Sequence, residues 1–480
     1  MKYSIKVALG LVAIATLAGV YYGDNYMTTK KDERQKETTY AIFFDTKDVV
    51  KFTVQNKNAV FTFIRDSLTS PWKLISPIAV AADQDAVNNI LAAIQQLTVQ
   101  QELLNTEAAL KGDKAMLSEF GLENTKNSVT IDLKNSEIKQ LFIGSDLDLG
   151  KKSVGGFNPA SVYAMNPTKK LLLVIDNSFI SVLENKTLSD FRSKRIGDFK
   201  GTDVVSLDIK SHEGNIVVSK DKNSKWEVQK PHAWPADPAF LEEFLGRYQG
   251  LLGQKIYENQ NVTPDLKKKF NLLPPSAVVD LKDSSGKTLQ NFEYGITKDG
   301  IFVTMRDGAV AQLNLDLWSD LIPKDKYFLN RQVLLGINLD HISGLKLSHS
   351  TYLRKDNNWY FVESETQQPS VSQPPNAEVL TFFSNWELMT ADDLILNATN
   401  EDLVHFGLTK PLKTFSFLFK PNSNTKSIEI IVGNRVPKNE KSVYLKRSDA
   451  PTVYIVEAGW LSLLAQLYSV GDTSHTSVKK

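Results

Sequence analysis

The same ordered set of landmarks passes three times along this chain, and that recurrence limits its fold more than any other feature. A tryptophan on a strand-like run comes first, then an acid-capped amphipathic helix, a Phe-Gly-Leu type helix stop and a strand ending in glycine. Trp72, Trp226 and Trp359 stand 154 and 133 residues apart, Phe120, Phe270 and Phe406 stand 150 and 136 apart, and Gly144, Gly295 and Gly433 stand 151 and 138 apart. Landmarks of three residue types that keep nearly the same offsets mark copies of one domain-sized unit. The period is longer than the roughly 20–50 residues of a solenoid repeat, so each copy is expected to bury its own core.

Local chemistry gives each copy its elements. Trp72-Lys73-Leu74-Ile75 and Trp226-Glu227-Val228 alternate as short strands, and Pro77 and Pro231 end their ladders. Asp83 and Asp237 follow in N-cap position. The helices behind them carry one apolar stripe each, Val87, Ile90, Leu91, Ile94 and Leu97 in the first copy and Phe240, Leu241, Phe244, Leu245 and Tyr248 in the second. In the third copy a segment from Glu365 to Ser372 is inserted, and Asn376 is expected to cap a helix bearing Val379, Leu380 and Phe383. The motifs Phe120-Gly121-Leu122, Phe270-Asn271-Leu272 and Phe406-Gly407-Leu408 place Gly or Asn just past a helix end with an apolar residue beyond, the Schellman pattern. Strands then lead to the three glycines and to hairpins around Tyr163, Val303 and Tyr444, and Phe191–Ile196 and Phe328–Val333 close the first two copies. The expected fold class is α+β, three tandem repeats of a mixed strand-and-helix unit after one N-terminal transmembrane helix.

That helix is read from the start of the chain. Lys2 and Lys6 precede an uncharged run from Val7 to Tyr22, which as a helix spans roughly 24 Å and, with Ile5, Lys6, Tyr21 and Tyr22 at its ends, fits a bilayer core. A cleaved signal peptide with Ala13-Ile14-Ala15 at its cleavage site is the competing reading. Basic residues after the run, Lys30, Lys31, Arg34 and Lys36, do not favour export, but large downstream domains translocate largely regardless of such charges. The expected layout is a transmembrane anchor at 1–23, a polar tether at 24–39, repeat units at 40–198, 199–336 and 337–470, and a flexible tail at 471–480, with the bulk of the chain in the periplasm and the anchor in a bacterial inner membrane.

Chemistry-bearing motifs are scarce. With no cysteine among 480 residues, disulfides, thiolate metal sites, cysteine nucleophiles and lipidation at an N-terminal cysteine are excluded. The six histidines lie apart, and a net charge of +1 without a basic cluster gives no reason to expect nucleic acid. Asp146-Leu147-Asp148-Leu149-Gly150 resembles part of a calcium loop, but Phe157 stands where its closing glutamate belongs. Gly155-Gly156 reads as a turn, and nucleophile-elbow and P-loop motifs are absent. No catalytic residue, metal or cofactor is expected. One turn, His232-Ala233-Trp234-Pro235-Ala236-Asp237, combines an aromatic face, a titratable ring and a helix start, and the first copy keeps only its Asp cap. His232 and Trp234 are therefore the candidate ligand contacts.

The strand from Trp72 to Pro77, the Ala82-Asp83 cap, the Phe120-Gly121-Leu122 stop and the Phe142-Ile143-Gly144 strand end, recurring from Trp226 and Trp359, resemble domain-of-unknown-function family 4340. The resemblance covers residues 40–465, with Asn271 in place of glycine and the insertion in the third copy as departures. It implies a single N-terminal membrane segment, an extracytoplasmic remainder and neighbours among ABC transporter subunits of the gliding-motility type. It implies no catalytic residues. The expected function is a non-catalytic, membrane-anchored periplasmic accessory or scaffold protein associated with an ABC-type transporter of the cell envelope. A binding module for an envelope glycan or lipid is the alternative, and a hydrolase comes third.

Overall fold

The computed structural model describes residues 38–105, 114–147, 161–348, 350–355, 358–362, 376–421 and 426–474. The expected anchor at 1–23, the tether up to residue 37, Asp148 to Gly150, Gly155-Gly156, the insertion Glu365 to Ser372 and residues 475–480 lie outside them. The chain divides into two compact units, Met1–Lys194 and Arg195–Lys480.

Unit one is built on one antiparallel sheet. Its strands are β1 (Val49–Gln55), β2 (Val60–Ile64), β3 (Lys73–Ser76), β4 (Val80–Ala81), β5 (Val99–Asn105), β6 (Asn127–Leu133), β7 (Ile138–Asp146), β8 (Ser161–Asn166) and β9 (Leu171–Asp176). They lie in the order β4-β3-β2-β1-β6-β7-β8-β9-β5. Alternation puts Phe52, Val54, Phe61, Phe63, Val129 and Ile131 on one buried face. Phe52 lies opposite Phe63, ring centroids 4.7 Å apart. The helix Gln84–Gln95 covers this face with Val87, Ile90, Leu91 and Ile94, each burial stabilising by about 1.5–3 kcal/mol. A second, smaller core sits under the helix stop, where Leu122, Met165 and Leu172 meet Phe120 and Phe142. Sheet covered on both sides needs no polar face, which is why Leu172 to Ile175 run buried without alternation.

Unit two contains two such sheets. The second, of nine strands, repeats the order of the first, and the third has eight among the described residues, with none of them a counterpart of β4. Each again has a main core and a satellite core beneath its helix stop, Phe270, Leu272, Phe302 and Val310 in one and Phe406, Leu408, Tyr444 and Val453 in the other. Leu394, on the strand Asp393–Ile395, packs against both main cores. The buried Arg447 donates to the carbonyls of Val333 at 2.9 Å and Leu335 at 3.1 Å and forks onto Asp449 at 2.9 and 2.6 Å, holding the segment that joins the two sheets.

All three copies open alike. The N–H of Ala41 donates to Leu97 O at 2.8 Å, that of Ile196 to Leu251 O at 2.9 Å and that of Val333 to Met389 O at 3.0 Å.

Two expectations are corrected. The α+β class gives way to a mainly antiparallel β architecture, 42% strand against 25% helix. The helical stripes were the easier signal, whereas the two- to ten-residue strands between them form a continuous ladder that only long-range pairing reveals. The N-terminal transmembrane helix gains no support. Its residues lie outside those described, and no described helix is long and apolar enough to cross a membrane. In the third copy the helix begins at Asn376 itself, and its buried stripe is Val379, Phe382, Phe383 and Trp386, leaving Leu380 52% exposed. The final helix, Leu461–Ser474, runs into the stretch read as tail.

Candidate functional site

What recurs in the three copies is backbone engineering. Asp83 caps its helix by accepting from Ala86 N at 3.0 Å, and Asp237 accepts from Ala239 N and Phe240 N at 3.0 and 3.2 Å. Each helix stop is a Schellman motif: Leu122 N donates to Leu117 O, Leu272 N to Lys267 O and Leu408 N to Leu403 O, at 2.7, 2.8 and 2.9 Å. Gly121, Asn271 and Gly407 take the required left-handed conformation, with φ of 68°, 54° and 70°. The strand glycines 144, 295 and 433 lie against these stops so closely that a Cβ would strike the carbonyl oxygens of Phe120, Phe270 and Phe406. The tryptophans pack as well: Trp72 edge-on to Phe52, Trp359 stacked on Phe383, Trp226 half-buried beneath Lys220.

The copies diverge where the sheet's first hairpin faces the short helix that closes the repeat. In the first copy Asn56, buried at the hairpin turn, donates to Leu183 O at 2.8 Å and Lys186 O at 2.9 Å, and Lys57 pairs with Glu184 at 3.2 Å. Hairpin and closing helix are thereby pinned together. The matching position in the second copy, two residues beyond the strand residue that pairs with Val279 instead of Val129, is Ser211. A two-residue turn, His212-Glu213, follows it. There the helix carbonyl, Leu321 O, is taken from within the core by the Tyr248 hydroxyl at 2.6 Å.

The hairpin is thus released from plugging duty, and a cavity of about 310 Å³ opens between Ser211–Gly214 and Pro323–Asp325, with Pro231 and Ile216 in its walls. Glu213 and Lys324 are exposed on its margin, and Asp325 is half-buried, accepting from Lys326 N at 2.9 Å. Asn215 lies in the wall, and its amide oxygen is buried without a hydrogen-bond partner.

The two candidate contacts separate. His232 is exposed and follows Pro231 at the cavity wall. Trp234 is half-buried against the second core, its ring N–H donating to Asn330 O at 2.8 Å, so its polar atom is committed to the fold. Trp386 is fully buried. The cavity itself escaped sequence reading because Ser211, Pro231 and Lys324 are far apart in the chain. The hairpins are of equal length in the two copies, and they differ in the residue at the turn, Asn56 in the first and Ser211 in the second.

The charged groups are those of a stable surface. The carboxyl of Asp402 is held below its usual range by the backbone and side chain of Thr399, that of Asp221 by the Lys225 N–H and that of Asp449 by Arg447. Among the described residues no group of three or more His, Cys, Asp or Glu is arranged to hold a metal ion. Of the calcium-like run only Asp146 and Leu147 are described.

Residues 72–227, one full period from the first landmark tryptophan to just past the second, match the family described as Domain of unknown function (DUF4340). The resemblance drawn from the landmarks holds over these residues. A comparison with curated proteins gives no match. Among solved structures, the chain matches the beta subunit from DNA polymerase of Streptococcus pyogenes at 10% identity and a TM-score of 0.15, over 88% of this chain and 95% of that one. A likeness that distant carries no argument about fold or function.

Proposed function

We propose that this chain is a non-catalytic accessory or scaffold protein of the bacterial cell envelope, held at the inner membrane with its bulk in the periplasm and working with an ABC-type transporter. One observation carries the reading: the triplicated features are helix stops and glycine contacts, with the Asp cap in the first two copies, while other polar side chains differ from copy to copy. A repeated active site would repeat its acids, bases or nucleophiles. A repeated framework needs only to repeat its packing, and each copy supplies surface on which a partner can be held. Membrane attachment is assigned to the uncharged run from Val7 to Tyr22. The transporter enters through the resemblance to the family matched at residues 72–227.

The test is affinity purification of the full chain from gently solubilised membranes, with cross-linking before lysis. Transporter membrane subunits are expected in the eluate, and the chain is expected in the membrane fraction. Recovery of the chain by itself after cross-linking overturns the transporter association, and recovery in the soluble fraction overturns the membrane assignment.

A further inference from the structure

We propose that the cavity between the Ser211–Gly214 turn and the Pro323–Asp325 loop binds a small ligand rich in hydrogen-bond donors and without negative charge, of the amino-sugar class. This goes beyond the scaffold reading and does not depend on it.

The argument begins with the difference between copies. The first copy closes the equivalent gap with Asn56 and its two carbonyl partners. The second satisfies the helix carbonyl from inside, through Tyr248, and leaves about 310 Å³ open. That volume suits one or two sugar-sized rings and lies at the low end of ligand pockets. The lining then selects the chemistry. Pro231 and Pro323 in the lining have no N–H to offer. Glu213 and Asp325 are acceptors only when ionised, and against them stands one ammonium, Lys324. Asn215 adds an amide, its oxygen buried without a hydrogen-bond partner and its nitrogen a donor. Two carboxylates face one ammonium, with the Ser211 hydroxyl and the Asn215 amide beside them, so neutral hydroxyls and an ammonium are the complementary groups and a carboxylate is repelled. Ile216 and the two proline rings give an apolar surface for the C–H face of a sugar ring.

Glucosamine, glucose and glucuronate, titrated into the purified full chain by ligand-observed NMR and calorimetry, make the test. Glucosamine is expected to bind at one site per chain, more tightly than glucose, with glucuronate weakest. The paired variant Glu213→Gln and Asp325→Asn keeps shape and, at Asp325, the acceptor for Lys326 N. It is expected to weaken glucosamine about tenfold by removing two charge-assisted hydrogen bonds, with an unchanged circular dichroism spectrum. No binding of glucosamine at millimolar concentration overturns the proposal. So does equal binding by the folded variant, or a preference for glucuronate.

Discussion

The Tyr248 hydroxyl donates to the main-chain carbonyl of Leu321 at 2.6 Å, in a fully buried setting. Tyr248 sits three residues before Leu251, whose carbonyl receives the opening segment of its repeat, and Ile94 holds the same place before Leu97. Isoleucine has no donor, so the first copy draws one from the hairpin, Asn56. The third has Trp386 at this place and uses Tyr352, which donates to Leu467 O at 2.6 Å. The first two copies meet one demand, a donor for the end of the closing helix, from different positions. In the third the bond falls at the middle of the helix Leu461–Ser474. The choice of donor decides whether the neighbouring hairpin is pinned or free.

Replacing Tyr248 with Phe keeps the ring among Phe244 and Phe292 and removes the donor to Leu321 O, together with the hydroxyl that neighbours Tyr294. Leu321 O is then buried without this partner, at a cost of about 1–3 kcal/mol. Urea denaturation of the full chain is expected to show the loss in the transition of unit two alone. A change within ~0.5 kcal/mol contradicts the assigned role.

Gly433 and Gly246 are predicted to respond to alanine in opposite directions. A methyl on Gly433 strikes the Phe406 carbonyl, which also accepts Asn434 N–H at 2.7 Å, so the strand must move off the helix stop. The expected cost is about 2–3 kcal/mol. Gly246 lies within the helix Pro238–Gly250, and a Cβ there meets nothing within 4 Å. Alanine at 246 is expected to add about 0.5–1 kcal/mol by lowering the entropy of the unfolded chain. Denaturation midpoints of the two variants measured side by side decide it.

These contrasts show what was legible in the sequence. Asp83, Asp237 and the three helix stops act locally, between residues a few positions apart, and a single chain segment displays their chemistry in full. Glycines 144, 295 and 433 were visible as landmarks, but their reason was not, because the carbonyl each one faces lies 24 to 27 residues back in the chain. The sheets were under-read for the same reason. Val99–Asn105 becomes a strand only by pairing with Leu171–Asp176, and nothing in its own composition announces that partner. The cavity is the extreme case, since it is defined by a plug that one copy has and another lacks.

Arg447 offers a test of the join between the second and third sheets. Only 6% exposed, it serves two carbonyls and a carboxylate. Lysine cannot reproduce that fork, so Arg447→Lys is expected to cost about 3 kcal/mol. The pair also has an acid signature. Arg447, through its hydrogen bonds and then its charge, holds the Asp449 carboxyl below its unfolded value. A depressed folded pKa gives stability that is complete above the unfolded value near pH ~4 and is lost as pH falls through the folded one. Stability curves of the wild type and Asp449→Asn are expected to converge on acidification below pH ~4. A constant difference from neutral to acid pH rules out the pair as the source.

The alkaline limit is set by the buried tyrosines. Burial, with Tyr294 nearby, pushes the Tyr248 phenol far above its ordinary value, and burial likewise raises Tyr294. Tyr352 is pushed up to about 12 by burial and then by Glu378. In each case the folded chain holds the neutral phenol while the unfolded chain ionises near pH ~10. A raised folded pKa leaves stability untouched below the unfolded value and removes it as pH climbs beyond, because the unfolded state then binds fewer protons. Denaturation midpoints are therefore expected to stay flat, as far as these groups are concerned, up to pH ~10 and then fall. The phenolate absorbance of these residues should develop only as the chain unfolds. Tyr352→Phe is expected to reduce the steepness of that fall, and it also removes the donor to Leu467 O, so its stability at neutral pH should be lower as well. Full ionisation of every tyrosine while the far-ultraviolet dichroism remains native contradicts the assignment.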